Sequence, residues 1–281
     1  MSKNYGRITI TIKKELLERI DEIGVIESKN RSQVLEKLVI DSLGLHKVKT
    51  AVIMAGGVGT RLRPLTLELP KPLIPVRGKP MMEHTLDLLR KYEIREVYIS
   101  VGYKAKQIMD YFGDGSRYGM NFIYLVEKKP LGTAGPLKLL KGKINEPFML
   151  LWSDVLAEVD LNDFINFHFL NNGLATIALT TVKDPSRFGV AAIKGSKILN
   201  FIEKPLRGQE PSNLINAGMV ILNPEVLNSL PRKSFVMIER DIYPKLAAAG
   251  RLIGYPFEGQ WFDTGTHEAY EEVLKKWRGI K

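Results

Sequence analysis

The chain contains no cysteine. That absence excludes disulfides, thiolate-bound metals and a cysteine nucleophile. No apolar run is long enough to cross a bilayer. The opening "MSKNYGRITITIKKELLERI" goes straight into charged, periodic sequence, where a secretory leader would run from basic to apolar to small residues. A cytoplasmic protein with no membrane partner is the expectation. The four histidines, His46, His84, His168 and His267, show no H-x-x-x-H spacing, so none is assigned to a metal. Internal repeats, low-complexity tracts and a G-x-x-x-x-G-K-[S/T] phosphate loop are also missing.

What is present is basic. Lys and Arg number 41 against 31 Asp and Glu, a formal charge of +10 over 281 residues. The first 50 residues hold ten basic against seven acidic side chains, so most of the excess lies downstream. Such a balance fits phosphate-bearing partners or nucleic acid, and a lysine-rich surface alone would also produce it.

Residues 1–46 read as a separate small domain and 47–281 as a larger one, joined by the basic stretch "LHKVKT". In "RITITIK", Ile8, Ile10 and Ile12 alternate with Arg7, Thr9 and Thr11, the period of a strand. "KKELLERIDEIG" has Leu16, Leu17, Ile20 and Ile23 at helical spacing, with Gly24 as the expected stop. A second helix follows, with Val34, Leu35, Leu38, Val39 and Leu43 on its apolar face and Asn30 or Ser32 as cap. So short a unit buries little core alone, and a lone strand needs a partner. This segment resembles the ribbon-helix-helix DNA-binding domains. The resemblance implies a homodimer or higher oligomer through a two-stranded ribbon. It would put Arg7, Thr9 and Thr11 toward bases and the amides around Arg31 and Ser32 toward backbone phosphate. Two alternatives stand beside DNA binding: a dimer clasp, and a helical appendage packed on the larger domain.

From residue 50 the texture changes to strands alternating with helices, which makes this an α/β domain. "TAVIMA", "EVYISVG", "NFIYLVE", "PFMLLWSD", "LATIALTTV", "FGVAAI", "KILNFIEKP" and "NAGMVILNPEVL" read as strands. "MMEHTLDLLRKY", "AKQIMDYFG", "LNDFINFHFLNN" and "FVMIERDIYPKLAAAG" read as helices, and "TAGPLKLLKG" as a helix interrupted near its start.

The run "AGGVGTRLRPLTLELPKPLIPV" after the first strand carries three glycines, three basic residues and four prolines. Gly56, Gly57 and Gly59 let backbone N–H groups turn toward a phosphate, and Arg61 adds a forked contact. G-G-x-G-T-R is not the G-x-G-x-x-G dinucleotide fingerprint, so a tight surface turn is the alternative. Pro70 and Pro72 restrict the backbone around Lys71 and so position its charge.

This run is similar to the signature of the sugar-phosphate nucleotidyltransferases, and "PLGTAGPL", "WSD", "DPSRFGV", "FIEKP", "INAGMVIL" and "WFDTGTHEAY" follow in that family's order. The resemblance implies a Rossmann-like mixed-sheet nucleotidyltransferase domain. Its reaction is attack of a sugar 1-phosphate oxygen on the α-phosphorus of a nucleoside triphosphate, giving a nucleotide-sugar and pyrophosphate. By resemblance Gly56, Gly57, Gly59, Thr60 and Arg61 hold the triphosphate, with Gly132 and Thr133, and Lys71 contacts the reacting phosphates. Asp154 and Asp263 would bind Mg²⁺. Lys204 would pair with the sugar phosphate, Glu203 and Asn216 with sugar hydroxyls, and the Gly189 backbone would add a contact. Glu127 occupies the base-facing position. A carboxylate accepts from both N1–H and N2–H₂ of guanine but meets only one donor on uracil or thymine. The combination points to GTP and mannose 1-phosphate. Glucose-1-phosphate thymidylyl- or uridylyltransfer stays open, as does a DNA-binding regulator that senses nucleotide or sugar phosphate. Larger relatives continue into a β-helix or second catalytic domain. This sequence stops near "YEEVLKKWRGIK", so acyltransferase or isomerase chemistry is not expected.

Overall fold

The computed structural model describes residues 8–280. The chain divides into two compact units between His46 and Lys47.

The first unit is a pair of helices, α1 (Lys14–Glu27) and α2 (Arg31–Leu43). Asn30 caps α2 through a reciprocal box: its side chain accepts from Gln33 N and its own N–H donates to the Gln33 side chain, both at 3.0 Å. Gly24 does not stop α1. The apolar Val25 and Ile26 carry the helix one turn further, and Ser28 takes the left-handed conformation that ends it. Arg31 makes a two-pronged ion pair with Asp21, at 2.5 and 2.7 Å, which ties the start of α2 to α1.

The expected ribbon is corrected. Residues 8–13 form no strand, and Arg7 lies outside the described residues. Extended backbone becomes a strand only against a neighbour that takes its N–H and C=O groups, and the described residues offer none here. Thr9 and Thr11 are therefore not on a sheet face. The Arg31 guanidinium is committed to Asp21, and Ser32 sits in the first turn of α2. The described residues show two helices and no ribbon-helix-helix module.

The second unit is built on a nine-stranded mixed sheet. Its strands are β1 (Thr50–Ala55), β2 (Glu96–Val101), β3 (Asn121–Val126), β4 (Phe148–Trp152), β5 (Ala175–Thr181), β6 (Gly189–Lys194), β7 (Lys197–Glu203), β8 (Leu214–Leu222) and β9 (Leu252–Pro256). They lie in the order β3-β2-β1-β4-β8-β5-β9-β7-β6. The first four in that order run parallel, while β8 is antiparallel to both β4 and β5. Both faces of the parallel part are covered, so β1 reads as an unbroken apolar run. Ala51 and Ile53 join one core with Leu86, Phe112 and Phe164, and Val52 joins the other with Leu137, Phe148 and Tyr243.

Two segments differ from expectation. "TAGPLKLLKG" contains a short 3₁₀ helix, Pro136–Leu140. The run from Phe235 opens with a π turn, Ile238–Ile242, before a short helix, Tyr243–Ala248. A two-stranded arm pairs Trp261–Asp263 with Val155–Ala157, Asp263 opposite Val155. That arm brings residues about a hundred positions apart to the carboxyl ends of β1 and β4, where open α/β sheets form their crevice.

Candidate active site

Lys71 begins a 3₁₀ turn, Lys71–Leu73, whose preceding residue is Pro70. It is only 8% exposed, and its ammonium donates to Asp154 Oδ2 at 2.6 Å. Asp154 stands just past the end of β4, and its carbonyl accepts from Thr264 N–H at 3.0 Å and Thr264 Oγ1 at 2.8 Å. These bonds fix Asp154 beside Asp263. Arg61 comes from a 3₁₀ turn, Thr60–Leu62, and lines the same space as both aspartates. Gly265 leaves the Arg61 and Asp263 side chains room here. A Cβ on it would stand 2.8 Å from an Arg61 guanidinium nitrogen and 3.0 Å from the Asp263 carboxylate.

The two carboxyls are shifted in opposite directions. Burial works against the charged form of Asp154, but the Lys71 charge and hydrogen bond, with Arg61 behind them, bring it below the usual aspartate value. Burial and the Asp154 charge raise Asp263, and Lys71 and Arg61 only partly offset them. Among the described residues, no group of three or more His, Cys, Asp or Glu side chains converges as a metal cage. Two mutually repelling carboxylates nevertheless form an all-oxygen donor pair. Such a pair fits a hard divalent cation that takes its other ligands from phosphate and water.

A cavity of about 260 Å³ lies on one side of Asp154, lined by Gly56, Gly57, Lys71, Glu127, Gly132 and Thr133. Gly59 and Thr60 are not in that lining. Gly59, at φ 67°, starts the turn that carries Arg61, and its carbonyl accepts from Thr66 Oγ1 at 2.9 Å. Glu127 is fixed by two donors, Ser100 Oγ at 2.7 Å on one oxygen and Leu131 N–H at 3.1 Å on the other.

A second cavity of about 150 Å³ lies on the other side of Asp154 and brings together Gly189, Glu203, Lys204 and Asn216 with Arg61 and Asp263. Lys204 is in the left-handed region, at φ 51°, and its ammonium lies 3.6 Å from Glu203. The Asn216 side chain accepts from Gly218 N–H at 3.0 Å across an irregularity in β8.

Sequence reasoning missed Ser100, Thr264, Gly265 and Glu239. Ser100 and Glu239 are buried polar residues inside otherwise ordinary strand and helix patterns, so no local signal marks them. Thr264 and Gly265 belong to "WFDTG", and their place beside Asp263 was the available clue.

The family model described as "Nucleotidyl transferase" matches residues 50–278. The mannose-1-phosphate guanyltransferase of Yarrowia lipolytica is 40% identical over 220 residues, covering 76% of this chain and 60% of its own length. Mannose-1-phosphate guanylyltransferase 1 of Arabidopsis thaliana is 37% identical over 232 residues, covering 80% of this chain and 63% of its own. The chain thus spans about three fifths of the length of these curated relatives. A Bacillus anthracis crystal structure described as a glucose-1-phosphate thymidylyltransferase in complex with sucrose superposes with a TM-score of 0.76 at 28% identity. It covers 83% of this chain and 96% of that one. The glycine-rich turn, the paired aspartates at the sheet's carboxyl edge and the match over most of the chain agree: it belongs to the nucleotidyl transferase family.

Proposed function

We propose that the chain joins a nucleoside triphosphate to a sugar 1-phosphate, with GTP and mannose 1-phosphate as its preferred pair. One observation carries this reading. The cavity beside the glycine-rich turn and the polar cavity around Glu203, Lys204 and Asn216 share Asp154 in their walls. Two substrates seated in them would meet at that carboxylate.

In the reaction, a phosphate oxygen of the sugar 1-phosphate forms a bond to the α-phosphorus. The bond from that phosphorus to the bridging oxygen of the β-phosphate breaks, and pyrophosphate leaves with the electron pair. The barrier is the crowding of negative oxygens, so alignment and charge compensation are the protein's tasks. Lys71 and Arg61 supply positive charge at the reacting phosphates, and Lys204 holds the sugar phosphate. Gly56, Gly57, Gly132 and Thr133 frame the triphosphate, and Gly59 and Thr60 shape the turn that delivers Arg61. Asp154 and Asp263 would hold Mg²⁺, which when bound neutralises phosphate charge. Asn216 and Glu203 take sugar hydroxyls, with the Gly189 backbone beside them.

Glu127 supports guanine. A carboxylate has about four acceptor positions. Ser100 and Leu131 occupy two, which leaves capacity for the paired N1–H and N2–H₂ donors. The guanylyltransferase relatives favour the same choice, whereas the thymidylyltransferase likeness favours the alternative. A matrix of five nucleoside triphosphates against mannose, glucose and N-acetylglucosamine 1-phosphates, scored by pyrophosphate release, tests it. A clear maximum at GTP with mannose 1-phosphate is expected; a maximum at UTP or dTTP overturns the Glu127 argument.

We also infer that the first unit self-associates. Among its described large apolar side chains only Ile20 and Val34 are buried, while Leu16, Val25, Ile26, Leu38, Val39 and Leu43 stand exposed. A second copy of the same helices would cover them without any new sequence. The mass of the full chain in solution, against that of residues 47–281 alone, tests it; a full chain that stays monomeric contradicts it.

A further inference from the structure

Glu239 is the second residue of the π turn at Ile238–Ile242 and is 7% exposed. It lines the 150 Å³ cavity beside Glu203, Lys204 and Asn216. It is also bonded to the opposite cavity: Thr133 Oγ1 lies 2.5 Å from Glu239 Oε2, and Thr133 lines the 260 Å³ space. Thr133 Oγ1 donates to that carboxylate oxygen and accepts from Ile238 N–H at 2.9 Å.

The segment carrying Glu239 is stitched to the loop carrying Thr133. Ala134 N–H donates to Val236 O at 2.8 Å, and Val236 N–H donates to Leu131 O at 2.9 Å. At Gly132, φ 80°, a Cβ would stand 2.4 Å from Val236 O, so only glycine allows this approach. Glu239 is thus held in register with the nucleotide loop while its carboxyl faces the sugar-side cavity. Thr133 uses one of about four acceptor positions on that carboxyl.

We propose that Glu239 is a second sugar-reading carboxylate, accepting a ring hydroxyl alongside Glu203 and so helping to choose which sugar 1-phosphate fits. This rests on the nucleotidyltransferase reading of the site. Two acceptors in one small cavity suit a sugar that presents two separate O–H donors, and they penalise one in which a hydroxyl is missing or blocked. Burial raises the Glu239 carboxyl above the ordinary glutamate value. The Thr133 hydrogen bond and Lys204 oppose that rise and the Glu203 charge adds to it. The groups facing Glu239 therefore include Thr133, Glu203, Lys204 and Tyr243, whose buried hydroxyl is raised in part by the Glu239 and Glu203 charges.

The experiment is a steady-state comparison of the wild-type chain with Glu239→Gln and Glu239→Asp, using mannose 1-phosphate and its 2-, 3- and 4-deoxy analogues at saturating GTP. In the wild type, one deoxy analogue should bind about tenfold worse, the scale of a lost hydrogen bond to a charged group. In both variants KM for mannose 1-phosphate should rise by about as much. The penalty for that one analogue should vanish, and KM for GTP should stay within about twofold. Two variants guard against a loss of folding in one of them. If KM for the sugar is unchanged, or if both KM values rise together, Glu239 only braces the nucleotide loop and the proposal is wrong. A wild type that releases no pyrophosphate with any pair removes the parent reading, and this one with it.

Discussion

The two units of the chain treat the same kind of sequence pattern differently. In the second, β1 buries Ala51, Val52 and Ile53 completely between two cores. In the first, α1 and α2 have regular apolar spacing, yet Val25 and Ile26 are 82% and 80% exposed. Periodicity specifies an element, but burial requires another layer to pack against it. The sheet supplies that layer for the second unit. The first holds its hairpin with a capping box and ion pairs, while much of its apolar surface stays exposed.

The comparison is broken most severely at the junction of the two cavities. Asp154→Asn should lower kcat/KM by about 10³-fold, the scale of losing one preorganised electrostatic contact. Circular dichroism should show the variant folded at the assay temperature. A folded variant with full turnover would remove Asp154 from the chemistry. Gly265→Ala is a gentler probe, because its methyl group would push on Arg61 and Asp263 without removing either. A drop of about 10- to 10²-fold, measured in the same assay, is the expected cost of that misplacement.

Removing residues 1–46 should do the reverse. Turnover by the remaining unit should be unchanged, while light scattering should report a smaller particle. A large loss of rate would mean that the first unit contributes to the site. The smallest effect concerns the helix hairpin. Glu27, bonded to Lys29 and Lys37, has its carboxyl lowered from 4.5 to about 2. A lowered value means that its contribution is complete above pH 4.5 and is lost as the pH falls toward 2. The hydrogen-exchange protection of residues 14–43, corrected for the intrinsic rate at each pH, should therefore fall over that window before β1 and β4 are affected. Uniform exchange across both units would contradict the separation.

Much of the second unit was legible because its elements are local. "TAVIMA" and "PFMLLWSD" are strands by composition alone, and Lys71 between two prolines announces a held charge. The structure gathers Gly56, Gly57, Lys71, Glu127 and Asp154 around one cavity, and Glu203, Lys204 and Asn216 around its neighbour. What stayed hidden is long-range or conformational. The pairing of Trp261–Asp263 with Val155–Ala157 leaves no local mark. Glu239 reads as a polar helix position until the π turn points it inward. Gly24 reads as a stop because glycine often ends helices, but the helix continues through the apolar Val25 and Ile26 to Glu27. The ribbon failed for a related reason: strand periodicity in residues 8–12 is a statement about side chains, whereas a strand also needs a hydrogen-bonding neighbour.

The most direct measurement incubates the full chain with GTP, mannose 1-phosphate and Mg²⁺ and quantifies pyrophosphate and nucleotide-sugar together. Equimolar formation of the two, dependent on the sugar 1-phosphate, is what a centre shared by the two cavities predicts. Pyrophosphate or phosphate released from GTP at the same rate without any sugar 1-phosphate would contradict it.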